Sequence, residues 1–323
     1  METPVVAEGL VRRFGEVVAV DGIDLSVQSG EIFGFLGPNG AGKTTTIRML
    51  TTLLKPTAGR AFVAGHDVVR EPDAVRRSIG VALQEAALDP LMTGRELLRL
   101  QSVLHGIRPE EARSRSERLL DTVGLTGAAD RRVATYSGGM RRRLDLALAL
   151  LHEPIVLFLD EPTTGLDPNS RLALWDELRS LNREFGTTVF LTTQYMEEAD
   201  RLTSRIAIID FGKIVAEGTP AELKGKVGEP TLRVAVGPGA DQSRVEDVLR
   251  AHGAPERDGD SFSVRLSGGA AQMGAVARAL EGAGIAVEEL ELHNPTLDDV
   301  FHEATGRRLE GAAPTEEAEE VER

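Results

Sequence analysis

The chain holds 323 residues, enough for two domains and a sizeable core. Its formal net charge of −14 disfavours a general nucleic-acid or anionic-lipid binder, because phosphate attraction needs a basic face. The absence of cysteine excludes a disulfide framework, a thiolate zinc site and a cysteine nucleophile, and suits the cytosol. Met1-Glu2-Thr3-Pro4 has neither a basic nor an apolar leader character, so no secretory signal is expected. The most apolar stretch, 144–159, is broken by His152-Glu153-Pro154 and is too short to span a bilayer.

Three short alternating runs open the chain: Val5-Val6-Ala7, Val17 to Val20 and Ile23 to Val27. Turn residues Gly9, Gly15, Asp21-Gly22 and Ser29-Gly30 separate them, which predicts an antiparallel β-layer. Phe14, before Gly15, reads either as a base-stacking aromatic or as a core residue at a strand end. Glu31 to Leu36 reads as a short buried strand, and Thr45 to Leu50 as a helix. Between them stands Gly37-Pro38-Asn39-Gly40-Ala41-Gly42-Lys43-Thr44. Strand, glycine-rich turn and helix make this G-x-x-x-x-G-K-[ST] string a phosphate-binding P-loop. The glycines let backbone N–H groups converge on one concavity, and the helix N-terminus adds partial positive charge there. Lys43 can reach the β- and γ-phosphates, and Thr44 can offer its hydroxyl to Mg²⁺.

Ile79 to Leu83 predicts a strand ending at Gln84, which alone reads as a loop polar group. A helical insertion follows. Thr93-Gly94-Arg95-Glu96 resembles a capping box, and Pro109-Glu110-Glu111 opens a second helix. Arg113, Arg115 and Arg118, with Glu110, Glu111 and Glu117, read as a solvated face. Tyr136-Ser137-Gly138-Gly139-Met140 then precedes a strong helix. It is either a second anion site or a plain cap by Ser137. Arg141, Arg142 and Arg143 read as a solvated first turn rather than a phosphate clamp. Ile155 to Leu159 is a continuous apolar run, hence a parallel strand buried on both faces, and it ends in Asp160-Glu161. Carboxylates at that end lie where open α/β sheets bind ligands. Asp160 is placed to assist Mg²⁺, and Glu161 to orient or deprotonate a water.

Beyond the loop 162–168 the pattern predicts a helix over 169–184 and a strand from Thr187 to Thr193 with Gln194 at its end. A helix over Met196 to Leu202, a strand over Arg205 to Asp210 and a hairpin turn at Phe211-Gly212-Lys213 follow. Thr219 and Pro220 start a short helix as N-cap and N1. Gly225 to Pro230 reads as a linker. A small α+β unit then runs through strands 232–236, 262–266 and 285–292 and helices 243–251, 270–282 and 296–305. The expected domains are 1–225, with a helical subdomain at about 86–150, then 229–306, and an acidic tail 307–323 expected to be disordered.

In this order and spacing, residues 4–224 resemble the nucleotide-binding subunit of ABC transporters. The resemblance implies an α/β P-loop NTPase fold of ABC type, with a mixed sheet core, an antiparallel β-layer and a helical subdomain, ahead of the small C-terminal α+β domain. It implies ATP and Mg²⁺ as cofactors. Gly37 to Thr44 matches Walker A, Ile155 to Asp160 Walker B, Tyr136 to Met140 the signature with Tyr where Leu is usual, and Gly165-Leu166-Asp167 the D-loop. Implied catalytic residues are Glu161, Gln84, Gln194 and Lys43, and implied metal ligands are Thr44, Gln84 and Asp160. Implied nucleotide contacts are Phe14, Gly37, Pro38, Asn39, Gly40, Ala41, Gly42, Lys43, Thr44, Thr45, Ser137, Gly138, Gly139 and Asp167, with Phe14 stacking on adenine. Gln194 stands where the family usually has His. It can donate an N–H to a phosphate oxygen but cannot ionise.

Thr192-Thr193-Gln194-Tyr195-Met196-Glu197-Glu198 and the C-terminal Asn294-Pro295-Thr296-Leu297-Asp298-Asp299-Val300-Phe301 narrow the resemblance to the daunorubicin-resistance subfamily of drug exporters. This implies a head-to-tail homodimer and a separate membrane-spanning permease contacted near 84–106. It also implies a peripheral position at the cytoplasmic face of the membrane, with no nucleic acid partner. The rival is a soluble ABC ATPase of translation or DNA repair. Such proteins usually carry two cassettes or long coiled-coil or cysteine-rich insertions, and neither is seen here.

Overall fold

The computed structural model describes residues 2–83, 88–237, 240–259 and 261–307. Within them the chain divides into two compact units between Pro220 and Ala221. No helix among the described residues is long and apolar enough to cross a membrane.

The first unit begins with β1 (Val5–Phe14), β2 (Val17–Val27), β3 (Ile32–Leu36) and α1 (Lys43–Leu50). Then come β4 (Ala58–Val63), β5 (His66–Asp67), α2 (Pro72–Ser78) and β6 (Ile79–Ala82). Three helices follow, α3 (Gly94–Leu104), α4 (Pro109–Thr122) and α5 (Gly138–Leu150). The unit ends with β7 (Val156–Asp160), α6 (Pro168–Phe185), β8 (Thr188–Thr193), α7 (Met196–Leu202), β9 (Arg205–Asp210) and β10 (Lys213–Gly218). Strands β2-β1-β4-β5 form an antiparallel sheet, and β10-β9-β3-β8-β7-β6 a mixed one in which β10 alone runs antiparallel to its neighbour.

Two expected turns are not turns. Gly9 (φ 53°) and Gly22 (φ 70°) sit inside β1 and β2, where the ladder shifts register. The Gly9 N–H donates to Asp24 Oδ1 at 2.7 Å instead of to the ladder, so these glycines make bulges that twist long strands rather than end them.

The continuous apolar strands have a simple cause. Every residue of β3, β7 and β8 is buried, because both faces of the mixed sheet are covered. Along β7, Val156 and Phe158 enter the core shared with the antiparallel sheet and α1, while Leu157 and Leu159 enter the core shared with α3–α6. Phe190 of β8 anchors the first core, its ring 5.5–5.6 Å from those of Phe33, Phe35 and Phe158. Burying such a side chain contributes roughly 2–3 kcal/mol. The helical insertion keeps its predicted caps: Thr93 and Glu96 form a reciprocal capping box, and Pro109 opens α4. Tyr136, in the usual Leu position, is 3% exposed and donates its hydroxyl to Ala128 O at 2.7 Å.

Helix α8 (Pro220–Val227) runs through Gly225, which shortens the expected linker to Gly228-Glu229-Pro230. The second unit then contains β11 (Thr231–Val236), α9 (Gln242–Arg250), β12 (Pro255–Asp258), β13 (Ser261–Arg265), α10 (Gly269–Gly282), β14 (Val287–His293) and α11 (Leu297–Thr305). Its sheet order β12-β13-β11-β14, antiparallel throughout, is that of a split βαβ unit. Val245 and Leu249 of α9 and Val276 and Leu280 of α10 pack on Leu232, Val234, Phe262 and Val264 of the sheet. The tail from residue 308 onward lies outside the described residues.

Candidate active site

The site lies at the carboxyl ends of β3, β8 and β7, which are neighbours in that order. Leu36 is in register with Thr193, and Asp160 with Thr192, so three loops emerge at one level. The P-loop is clamped between sheets. A Cβ on Gly37 would lie 2.3 Å from Ile209 O, and one on Gly42 (φ 108°) 2.4 Å from Ala19 O. Backbone must approach backbone here, and glycine alone permits it. Helix α1 starts at Lys43 with no side chain capping it, which leaves its first amide donors to an incoming anion.

Lys43 is 4% exposed. Its Nζ donates to Gly37 O at 2.7 Å and Pro38 O at 3.0 Å, and lies 3.1 Å from Glu161 Oε1. Glu161 has φ 48°, a left-handed conformation disfavoured for a residue with a Cβ. Its N–H is held by Thr192 O (3.2 Å) and Thr192 Oγ1 (3.0 Å), and its Oε2 accepts from Thr164 Oγ1 at 3.2 Å. Thr192 Oγ1 in turn donates to Asp160 Oδ1 at 2.6 Å, and Thr44 Oγ1 donates to the same oxygen at 3.2 Å. A buried carboxylate facing a hydroxyl across the P-loop is a hard oxygen donor set and fits Mg²⁺. Gln194 directly follows β8 and is half-buried. Thr193 Oγ1, which accepts from the Tyr195 N–H at 2.9 Å, fixes the turn that carries it.

Thus Lys43, Thr44, Asp160 and Glu161 come together as expected, with Gln194 on the same edge. Gln84 lies outside the described residues. The remaining expected contacts form two exposed margins. Phe14 is 47% exposed at the end of β1, with the Arg12 guanidinium 4.5 Å from its ring centre. This excludes the core reading of Phe14. Ser137 caps α5 by accepting from the Met140 N–H at 3.2 Å. A Cβ on Gly139 would lie 3.6 Å from Ser170 Oγ, and Ser170 bonds Asp167 through both its N–H and its hydroxyl. The Ser170 hydroxyl holds Asp167 below the usual carboxylate range. Signature and D-loop therefore form one surface, with Ser137, Gly138 and Asp167 exposed.

One expectation is overturned. Arg142 does not belong to a solvated turn: it is 8% exposed, and its guanidinium donates to Leu83 O, Asp160 O, Pro162 O and Asp145. Burial pushes the Asp145 carboxyl up to about 6, with Arg142 pulling it back. The signal was available, since Arg142 precedes Leu146 and Ala149 by four and seven residues on the buried face of α5. Sequence reasoning also missed Thr192 as the bridge between Asp160 and Glu161. It missed Glu198 as well, fully buried, raised in pKa by that burial and accepting from Trp175 Nε1 at 2.9 Å.

Comparison with known proteins agrees with this geometry. Residues 20–164 match the family model of the ABC transporter, and residues 218–305 that of the ATP-binding protein DrrA1-3-like, C-terminal domain. The chain is 48% identical over 316 residues to the daunorubicin resistance ATP-binding protein DrrA2 of Streptomyces coeruleorubidus, covering 97% of this chain and 98% of that protein. It is 47% identical to the daunorubicin/doxorubicin resistance ATP-binding protein DrrA of Streptomyces peucetius, covering 97% and 95%. Among solved structures, the dimeric post-hydrolysis ATP-binding cassette MJ0796 bound to ADP and Pi is 28% identical, with a TM-score of 0.60 over 67% of this chain and 98% of that one. With Walker A and Walker B residues in contact and a DrrA-type C-terminal unit following them in sequence, the chain belongs to the ATP-hydrolysing subunits of ABC exporters, in the daunorubicin-resistance subfamily.

Proposed function

We propose that this chain binds ATP with Mg²⁺ on Gly37–Thr45 and Phe14, closes head to tail on a second copy of itself, and by hydrolysis drives a separate permease that exports drugs, antibiotics or lipophilic metabolites. The observation that carries this reading is the convergence of Lys43, Thr44, Asp160 and Glu161 at the mouth of a glycine cradle. Thr44 and Asp160 would hold Mg²⁺, which when bound neutralises phosphate charge. Lys43 leaves Glu161 for the β- and γ-phosphates. Glu161, freed, orients a water and accepts its proton, and Gln194 donates an N–H to a γ-phosphate oxygen. The exposed surface of Ser137, Gly138 and Asp167 supports the dimer, because it presents the N-terminus of α5 to solvent, where a nucleotide held by the partner could reach it.

The permease would dock near residues 84–106, and the chain would then sit at the cytoplasmic face of the membrane. The second unit would act as an accessory domain for dimerisation or regulation. The drug-resistance relatives give the translation or repair alternative no support. Glu161→Gln with ATP tests the cycle: light scattering after size exclusion is expected to show a stable dimer, and a monomer at saturating ATP would contradict it.

A further inference from the structure

Arg142 stands in the first turn of α5, the helix that begins at the signature, and its guanidinium is spent on backbone. Nε donates to Pro162 O at 3.1 Å, Nη1 to Leu83 O at 2.5 Å, and Nη2 to Asp160 O at 3.3 Å. Asp145, one turn along, takes Nη1 at 3.2 Å. The three carbonyls are not scattered. Asp160 and Pro162 flank Glu161, and Leu83 is the residue before Gln84.

Glu161 needs such support. Its left-handed backbone persists only where its surroundings over-determine it. Thr192 holds its N–H. Arg142 holds the carbonyls on both sides. A lysine cannot substitute, because a single ammonium cannot reach three carbonyls in the plane of a guanidinium fork. Asp145 acts through Arg142 by fixing the rotation of that fork.

We propose that Arg142 is a positioning residue for hydrolysis: its guanidinium sets the backbone on both sides of Glu161 and at Leu83, just past β6, so the signature helix and the backbone that carries Glu161 move as one body. This rests on Glu161 acting as the base, and it adds a residue outside the known motifs to the machinery. The hydrogen bonds of Arg142 go to Leu83, Asp145, Asp160 and Pro162 and none to the P-loop. Its loss should therefore act on turnover and leave nucleotide affinity in place.

The test uses the full chain carrying Arg142→Lys or Asp145→Asn, each measured for kcat, KM for ATP, affinity for a fluorescent ADP analogue, and melting temperature. Arg142→Lys is expected to lower kcat by about 30-fold, the scale that small misplacements of a reacting group cost, with KM and ADP affinity within about twofold of wild type. Asp145→Asn keeps the fork and loses its anchor, so a smaller fall of about threefold in kcat is expected. Methylguanidinium added to Arg142→Ala is expected to recover part of kcat, and to recover none in Glu161→Gln. Wild-type kcat in folded Arg142→Lys overturns the proposal, as does a raised KM at unchanged kcat. Where Arg142→Lys does not fold, wild-type kcat in Asp145→Asn overturns it instead. A Glu161→Gln protein that turns over ATP at the wild-type rate would instead remove the premise that Glu161 is the base.

Discussion

Glu161→Gln has a second expected effect, separate from lost turnover: it should tighten the binding of ADP. Lys43 is held by Glu161 at 3.1 Å, with the two side chains 4% and 9% exposed. An incoming diphosphate must draw Lys43 away from that carboxylate. Two opposite charges at 3.1 Å attract by roughly 5 kcal/mol at an effective dielectric constant of about 20. Desolvation cancels most of this, and the phosphates replace Glu161 as the partner of Lys43. The phosphates also bring negative charge close to the carboxylate. Glutamine removes both the competition and the repulsion. We expect a net gain of about 1.4 kcal/mol, or tenfold in Kd. Equilibrium titration with a fluorescent ADP analogue is the suitable assay, because neither protein can turn ADP over. An unchanged or weaker Kd for Glu161→Gln would refute the idea that the pair opposes binding.

Further outcomes follow from single contacts. Burial pushes Glu177 up to about 7, and its Oε2 has no hydrogen-bond partner among the described residues. The folded chain therefore keeps a proton that the unfolded chain loses above the ordinary glutamate value of 4.5, so stability falls as pH rises from about 4.5 to 7. Glu177→Gln should then raise stability by about 1–2 kcal/mol at pH 8, within a ceiling of about 3 for the full shift, and leave it unchanged at pH 4. Equal denaturant midpoints for the two proteins at pH 8 would refute this. Gly37→Ala puts a methyl against Ile209 O and is expected to abolish ADP binding. Gly40→Ala meets open space and bears only the left-handed backbone penalty of about 1 kcal/mol. Similar ADP affinities in these two variants would contradict the clamped geometry.

Most of the site was legible because it is written in short contiguous strings at strand ends. Gly37 to Thr44 and Asp160-Glu161 each follow a fully buried strand, and the sheet order alone brings them together. What stayed hidden was set by contacts between distant segments. Arg142 looks like a surface arginine beside Arg141 and Arg143 until the carbonyls of Leu83, Asp160 and Pro162 are in place around it. Thr192 is one more β-branched strand residue until its hydroxyl meets Asp160. In the fold, β4 escaped because three of its six residues are exposed, including Gly59 and Arg60. The edge strand β12 escaped because Pro255-Glu256-Arg257-Asp258 has no apolar alternation, and an edge tolerates a leading proline. Gly9 and Gly22 misled because a bulge and a turn share the same residue preference.

The chain has a single tryptophan, Trp175, 1% exposed in α6 with its indole N–H on Glu198 of α7. Helix α7 begins two residues after Gln194, so the indole is fastened to the segment that would sense the γ-phosphate. The protein thereby carries its own optical probe. Movement of Gln194 that draws α7 away from α6 would lengthen or break the indole bond, and the ring's emission would shift in an unlabelled chain. Nucleotide titrations can thus follow the segment after β8 directly, with two tyrosines as the other phenolic or indole fluorophores in the background.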